Sequence, residues 1–307
     1  MRRVRYETNG GPEVLFVEQA SVPVPGPGSL LVDAEAIGVT LPMVRKVREG
    51  SSPGSLGGEV AGTVAAVGEG VVGFAVGDRV VGLCFADAYA DKAILTAAMA
   101  SHVPAGVSAV EAVALVRSGL VARGAYEAGA PKSGEAVMVT AAASAVGTCA
   151  VQYAKAGGAS RVVAAVSSKD KADFVRSLGA DEVVFYGDET WGEPVDVVLD
   201  GVGGELLAPA VRALGPGGRL VAFSSGGGVI DAYELMVRSA SAIGFQMASI
   251  ARGKPELYVR WRDELWEHQR SGALRAHVHA VLPLADAARA HAIIEARANL
   301  GKVVLAP

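Results

Sequence analysis

A run near the middle of the chain, MVTAAASAVGTCAVQYAKAGGASRVVAAV, narrows the possible folds more than any other segment. It begins at Met138 with an apolar strand-forming stretch, followed by a tight turn of small residues, a helix-forming stretch and a second apolar strand. This succession is typical of the first βαβ unit of a dinucleotide-binding domain. The run therefore predicts a parallel sheet with a nucleotide-binding turn at the start of its first helix.

The order of predicted strands and helices differs between the two parts of the chain. From Val4 to about Leu95, short β-forming runs are separated by Gly and Pro turns, which predicts an all-β, barrel-like half. From about Val113 to Gly244, apolar strands alternate with helices, which predicts a parallel sheet covered on both faces. The helix-like ELYVRWRDELWEHQRSG then leads to a strand, a helix and a terminal strand. We expect a chain of 307 residues with this layout to form two domains.

Charge and composition exclude several classes of partner. The net charge of -4 and the pI near 5.8 provide no basic field for a nucleic acid, so a small molecule is expected. The apolar stretches are short, and the opening MRRVRYETNGG lacks the apolar core of a signal peptide. We therefore expect no membrane association and a cytoplasmic location.

Cys84 and Cys149 have no cysteine at a metal-ligand spacing and are interpreted as buried small hydrophobes.

The small residues of the turn suit the approach of a pyrophosphate. Backbone N–H groups and the helix dipole favour an anion at the start of a helix, and a bulky side chain there would block it. The strict G-x-G-x-x-G pattern is absent, since its positions hold Ala142, Ser144 and Gly147. Gly147 still permits close packing of the helix on the strand. The alternative is a small-residue helix start in a packed α/β domain that binds no nucleotide.

The strand that follows bears on the choice of nucleotide. Domains that prefer NAD place an Asp or Glu about 20 residues after the turn, where it binds the ribose 2′-hydroxyl. Here the strand ends in Ser167 and Ser168, and Lys171 follows. A hydroxyl and an ammonium group can bind a 2′-phosphate that a carboxylate would repel, so the sequence favours NADPH. The alternative is that Lys169 and Lys171 are ordinary solvated charges.

Several runs, taken in order with the turn, resemble the quinone oxidoreductase (zeta-crystallin-like) branch of the medium-chain dehydrogenase/reductase superfamily. They are YETNGGPEVLFVEQASVPVPGPGSLLVDAEAIGV, GGEVAGTVAAVGEGVVGFAVGDRVVGL, QYAKAGGASRVVAAVSSKDKADFVRSLGADEVVFY and DVVLDGVGGELL. The resemblance implies an α/β protein, with a GroES-like β-barrel catalytic domain and a Rossmann-type, doubly wound parallel-sheet cofactor domain. The implied boundaries are residues 1–113 for the first part of the catalytic domain, 114–253 for the cofactor domain and 254–307 for the return to the catalytic domain.

The zinc ligands of related dehydrogenases are missing. Zinc-dependent relatives carry G-H-E where this chain has Gly57, Gly58 and Glu59, and the cysteine expected near residue 40 is also absent. A catalytic zinc needs three protein ligands, so a zinc-dependent alcohol dehydrogenase is excluded and no metal ligand is predicted. Glu59 is expected to be a structural hydrogen-bonding partner instead.

The resemblance also assigns candidate cofactor contacts. For the pyrophosphate it implies Ser144, Ala145, Val146 and Gly147. For the adenosine 2′-phosphate it implies Ser167, Lys171, Tyr186 and Arg297, although Arg297 suits a surface position equally well. For the nicotinamide it implies Phe223, Ser224, Ser225, Phe245, Gln246 and Met247, of which Phe245 and Met247 would serve equally well in the core.

The substrate end departs from the family pattern. Where the family shows A-x-G-V-N-x-x-D, Thr40 replaces the asparagine and Met43 the aspartate, and Val121 replaces the threonine of G-L-T-A. Fewer fixed polar groups shift discrimination from hydrogen bonding to shape. Among Thr40, Arg45 and Arg48, we select Thr40 and Arg45 as the groups that stabilise charge on the substrate. The alternative for RKVRE is a solvated helix face.

The function predicted from these observations is NADPH-dependent reduction of a quinone or related conjugated carbonyl compound, such as an enone, without a metal. One alternative is reduction of an enoyl thioester or a polyketide intermediate, and another is a non-catalytic NADPH-binding sensor or assembly protein.

The family likeness also predicts a homodimer, with the segment SASAIGFQMASI as the pairing edge.

Overall fold

The computed structural model describes residues 1–50, 53–223 and 226–307 and divides the chain into two compact units. The first unit contains residues 1–117 and 276–307, and the second contains residues 118–275. The first boundary lies close to the expected one, whereas the second lies well beyond the expected residue 253. Residues 254–275 therefore belong to the second unit.

Strands and α-helices follow one another along the described residues as given by these bounds. The strands are β1 (Arg2–Arg5), β2 (Phe16–Gln19), β3 (Ser29–Val39), β4 (Gly58–Val67), β5 (Arg79–Cys84), β6 (Lys92–Thr96), β7 (Ala100–His102), β8 (Ala136–Thr140), β9 (Arg161–Val166), β10 (Glu182–Phe185), β11 (Val195–Asp200), β12 (Leu214–Ala222), β13 (Ser241–Gly244), β14 (Val278–Pro283) and β15 (Lys302–Ala306). The α-helices are α1 (Leu41–Glu49), α2 (Ala109–Gly129), α3 (Ala145–Ala156), α4 (Ala172–Ser177), α5 (Leu207–Arg212), α6 (Ala232–Arg238), α7 (Met247–Gly253), α8 (Pro255–Ser271) and α9 (Ala287–Glu295).

The first unit is built on a seven-stranded sheet in the order β14-β15-β3-β4-β5-β7, with β6 paired to β3. Strand β3 is central, because it pairs antiparallel with β4, β6 and β15. Its sequence SLLVDAEAIGV is the β-forming run predicted for this segment. Side chains including Tyr6, Leu30, Ile37 and Leu56 are completely buried in the core of this unit.

The second unit is built on a six-stranded sheet in the order β10-β9-β8-β11-β12-β13. All of its strand pairs are parallel. Every residue of β8 is buried, as expected for a strand covered on both faces. The strand order reverses between β8 and β11, and ligands of such sheets bind outside the carboxyl ends of the strands at this point.

Helix α8 belongs to the second unit because its side chains bind α2. Arg123 forms an ion pair with Glu264 at 2.7 Å, and the Trp261 ring N–H donates to Glu127 at 2.9 Å. A Cβ atom on Gly119 would lie only 2.3 Å from the Leu265 side chain, so the two helices are in close contact. The expected return to the catalytic domain therefore comes after α8.

The segment SASAIGFQMASI differs from the continuous pairing edge that was predicted. Only Ser241–Gly244 forms a strand, which is the last in the sheet order, and helix α7 begins at Met247. Within the described residues, no helix combines the length and the apolar character needed to cross a membrane.

Candidate functional site

The turn between β8 and α3 has the geometry of an anion-binding helix start. The Ser144 hydroxyl accepts a hydrogen bond from the Gly147 N–H at 3.0 Å and so caps the helix. A Cβ atom on Gly147 would lie 2.1 Å from the Ala141 carbonyl oxygen, so only glycine fits against the turn. Ala145 and Val146 occupy the first helical positions, where N–H groups have no acceptor within the helix. The four predicted pyrophosphate residues are thus consecutive around one helix start.

A buried polar pair joins the two strands at the point where the strand order reverses. The Thr140 hydroxyl donates to Asp200 Oδ1 at 2.7 Å, and both residues are fully buried. Thr140 Oγ1 also accepts the Gly201 N–H at 2.9 Å, and Asp200 Oδ2 accepts the Gly203 N–H at 2.9 Å. The pair fixes the loop after β11 beside the turn after β8. No pattern in the sequence indicates this role, although Asp200 lies within the run DVVLDGVGG.

The residues predicted for the 2′-phosphate that belong to the second unit gather at the carboxyl ends of β9 and β10. Ser167 is exposed directly after β9, and the Tyr186 N–H donates to the Val166 carbonyl at 3.1 Å. The Tyr186 hydroxyl accepts the Ala141 N–H at 2.8 Å, which connects this cluster to the turn. Lys171 ends the short 3-10 helix Lys169–Lys171 and is half-buried.

The residues predicted for the nicotinamide follow the ends of β12 and β13. A groove with a volume of about 400 Å³ lies there, lined by Ala222, Gly244, Phe245, Gln246, Ser249 and Ile250. Phe223 is half-buried and donates its N–H to the Asp200 carbonyl at 3.1 Å. Gln246 is exposed, and Met247 begins α7. Ser224 and Ser225 lie outside the described residues.

Phe245 also has the core role that the sequence left open. Its ring centroid is 6.1 Å from that of Trp261, and a Cβ atom on Gly124 would lie 2.2 Å from its ring. The ring therefore packs between α2 and α8. Phe245 lines the groove at the same time, so its two predicted roles are compatible.

The candidates for catalysis and Arg297 belong to the first unit. Thr40 is buried at the start of α1, and its hydroxyl does not cap that helix. Arg45 is half-buried and interacts with other groups of the protein. Arg48 forms an exposed ion pair with Glu295 at 2.7 Å, in agreement with a solvated helix face. Arg297 is exposed after α9, with a φ of 53°.

Glu59 has a structural partner in the first unit. It is completely buried and accepts a hydrogen bond from the Lys302 ammonium group, which burial shifts to a pKa of about 7. A Cβ atom on Gly38 would lie 2.5 Å from the Glu59 carboxyl group, so the pair is tightly enclosed. In the described part of the chain, no three His, Cys, Asp or Glu side chains group together as a metal site would require.

Comparison with protein families places both halves of the chain in one class. The family described as "Alcohol dehydrogenase GroES-like domain" matches residues 26–122, and the family described as "Zinc-binding dehydrogenase" matches residues 145–261. This combination defines a two-domain medium-chain oxidoreductase, and it confirms the fold class predicted from the sequence.

Relatives narrow the class further. Quinone oxidoreductase of Pseudomonas aeruginosa is 32% identical over an alignment that covers 100% of this chain and 99% of the relative. The structure of Escherichia coli quinone oxidoreductase complexed with NADPH has a TM-score of 0.92 and 30% identity, and covers 100% of both chains. The CurK enoyl reductase structure has a TM-score of 0.90 and 26% identity, and covers 99% of this chain and 98% of its own. The chain belongs to the zinc-independent quinone oxidoreductase family of medium-chain dehydrogenases/reductases, as the sequence resemblance predicted.

Proposed function

We propose that this chain is an NADPH-dependent reductase that transfers a hydride to a quinone or related conjugated carbonyl compound without a metal. The observation that carries the proposal is the joined cluster at the carboxyl ends of β8, β9 and β10. There a hydrogen bond from the Ala141 N–H to the Tyr186 hydroxyl joins the turn before α3 to the end of β10. The exposed Ser167 follows β9 at the position where domains that prefer NAD carry a carboxylate, and Lys171 comes after it. The NADPH complex of the Escherichia coli relative supports the same cofactor.

The residues of the second unit fit NADPH. Gly147 lets the start of α3 pack closely against the turn, and the N–H groups of Ala145 and Val146 in the first helical positions would bind the pyrophosphate. Ser167, Lys171 and Tyr186 supply hydroxyl and ammonium donors for the 2′-phosphate. Phe223, Phe245, Gln246 and Met247 surround the ends of β12 and β13, where they would hold the nicotinamide ring. Arg297 of the first unit is proposed as a further phosphate contact.

The bound cofactor supplies a hydride, which is two electrons and one hydrogen nucleus. In a conjugated carbonyl compound the hydride forms a new C–H bond at the far alkene carbon, the C=C π electrons shift toward the carbonyl, and an enolate oxygen results. A proton from solvent then completes the reduction. The residues proposed to stabilise the oxygen are Thr40, by its hydroxyl, and Arg45, by its guanidinium group.

A second candidate is reduction of an enoyl thioester. The CurK enoyl reductase structure, which matches over nearly the whole chain, favours it. Both reactions need the same cofactor site and the same hydride acceptor geometry, so the cofactor-binding residues do not separate them.

The rate of NADPH oxidation, measured separately with one substrate of each kind, distinguishes the two candidate reactions. We expect steady NADPH oxidation with 1,4-benzoquinone and much slower oxidation with crotonyl-CoA at equal concentration. Activity confined to the thioester would select the second candidate. NADPH binding without oxidation in the presence of either compound would indicate the non-catalytic alternative.

A further inference from the structure

Helix α2 carries an arginine whose charge has no carboxylate partner. Arg117 is half-buried and is the one charged residue within residues 112–122. The described residues include every Asp and Glu of the chain, and none of them forms an ion pair with Arg117.

Several other partly buried arginines of the described residues form ion pairs with acids. Arg123, on the same helix, has a side chain that is 17% exposed, and it binds Glu127 at 2.8 Å and Glu264 at 2.7 Å. Arg219 binds Glu135 at 2.5 Å with a side chain that is 22% exposed. Withdrawing a guanidinium group from water is unfavourable unless a counter-charge is nearby, which these pairs provide. Arg117 departs from this pattern.

The groups around Arg117 supply no negative charge. Burial lowers the pKa of Arg117, and the Tyr89 hydroxyl is the titratable group that would oppose this shift if it were ionised. Burial also raises the pKa of Tyr89, so its hydroxyl stays protonated. That hydroxyl is already bound to His291 Nε2 at 3.2 Å, and burial lowers the pKa of His291 to about 4. At neutral pH both neighbours are therefore uncharged, while an arginine remains a cation.

We propose that Arg117 binds a carboxylate of the substrate, so that the enzyme prefers conjugated carbonyl compounds that carry this group. The inference rests on the proposed function and names its substrate class. Arg117 immediately precedes Ser118 and the G-L-V-A segment at residues 119–122, which the family resemblance places at the substrate end. A guanidinium group binds a carboxylate through two parallel hydrogen bonds, and such a ligand supplies the counter-charge that the protein lacks.

The test uses an acceptor and its neutral ester, 4-oxopent-2-enoate and methyl 4-oxopent-2-enoate, which share one conjugated system. We expect Arg117→Met to lower kcat/KM for the acid by about 10–100-fold, mainly through KM, because one charge-assisted contact is lost. The value for the ester and the dissociation constant of NADPH should stay unchanged. Arg117→Lys keeps the charge but loses the bidentate geometry, so an intermediate value is expected for the acid.

Arg48→Met is the matched control, since Arg48 is an exposed arginine already paired with Glu295. It should leave the ratio of acid to ester unchanged. Equal effects of Arg117→Met on acid and ester, or no effect on either, would overturn the inference.

Reduction of 1,4-benzoquinone but of neither compound would overturn the inference and leave the proposed function standing. If the wild type reduces none of the three, the proposed function fails, and calorimetry then tests the inference separately. Binding of 4-oxopent-2-enoate to the NADP⁺-loaded wild type that is lost in Arg117→Met would support the carboxylate site. Equal binding by both proteins, or binding by neither, would refute it.

Discussion

Ser167 and Lys171 stand where a dehydrogenase that prefers NAD places an acid. Ser167 is exposed at the end of β9, and Lys171 follows within the same loop and short helix. A carboxylate at this position would repel a 2′-phosphate, whereas a hydroxyl and an ammonium group attract it. At the scale of single residues, we expect these two side chains to decide between NADPH and NADH.

Replacing Lys171 by alanine tests this assignment. We expect Lys171→Ala to weaken NADPH binding by about 10–100-fold and to leave NADH binding unchanged, because a single charge-assisted hydrogen bond to the phosphate is lost. Fluorescence titration of both cofactors measures the effect. Lys169→Ala is the control, since Lys169 is an exposed lysine at the start of the same 3-10 helix. A parallel loss of NADH affinity would point to a folding defect instead.

Single residues could be predicted where the chemistry is local to a motif. Gly147 and Ser144 were identified from the small-residue turn, and the structure places them around the helix start. Thr140 and Asp200 were not identified, because they are far apart in sequence and meet only where β8 and β11 become neighbours. Arg117 was missed for a similar reason, since the lack of a carboxylate partner is visible only in the fold.

Elements could be predicted where their hydrophobic pattern is one-sided or where a strand is wholly apolar. Strands β3, β8, β9 and β11 coincide closely with runs identified in the sequence. Helix α2 was not identified, because residues 112–116 are all buried and the helix shows no polar face. Helix α8 is also predicted from the sequence, but as part of the catalytic domain. Its contacts with α2 join residues that are far apart in the chain, so the local sequence does not show which domain the helix packs against.

Helix α9 introduces a pH-sensitive contact into the first unit. His291 is 1% exposed, and burial lowers its pKa from 6.5 to about 4. Between these values the unfolded chain binds a proton at this residue and the folded chain does not, so stability falls as the pH falls. We expect a loss of about 2 kcal/mol between pH 7 and pH 5 from this group alone.

Urea unfolding of the wild type and of His291→Gln at both pH values measures this contribution. The variant should lose less stability than the wild type on acidification. Tyr89→Phe is the matched control, because it removes the hydroxyl that binds His291 but keeps the buried imidazole. An equal pH dependence in wild type and His291→Gln would contradict the assignment.

At the scale of the whole molecule, the edge of the parallel sheet offers a surface for a second copy. Strand β13 is last in the sheet order, and the preceding helix α6 exposes Tyr233, Met236 and Val237. An unpaired strand edge beside exposed apolar side chains favours symmetric association. The homodimer stays a prediction, and we expect it to form at this surface through a pairing strand that is shorter than the sequence suggested.

A charge on this surface should separate the two copies. We expect Val237→Glu to convert a dimer into a monomer, because the carboxylate would be buried without a partner. Sedimentation velocity at micromolar concentration measures the change. Val72→Glu is the control, since Val72 is an exposed valine of the first unit. A monomeric wild type, or a Val237→Glu variant that stays dimeric, would remove this interface.

The most direct test of NADPH-dependent hydride transfer is an anaerobic reaction of the purified protein with one quinone and each reduced cofactor. We predict that NADPH and 1,4-benzoquinone disappear mole for mole as hydroquinone forms, and that NADH reacts at least about 10-fold more slowly at equal concentration. Equal rates with both cofactors would contradict the assignment of Ser167 and Lys171. Tight NADPH binding without any quinone-dependent oxidation would contradict the proposed activity itself.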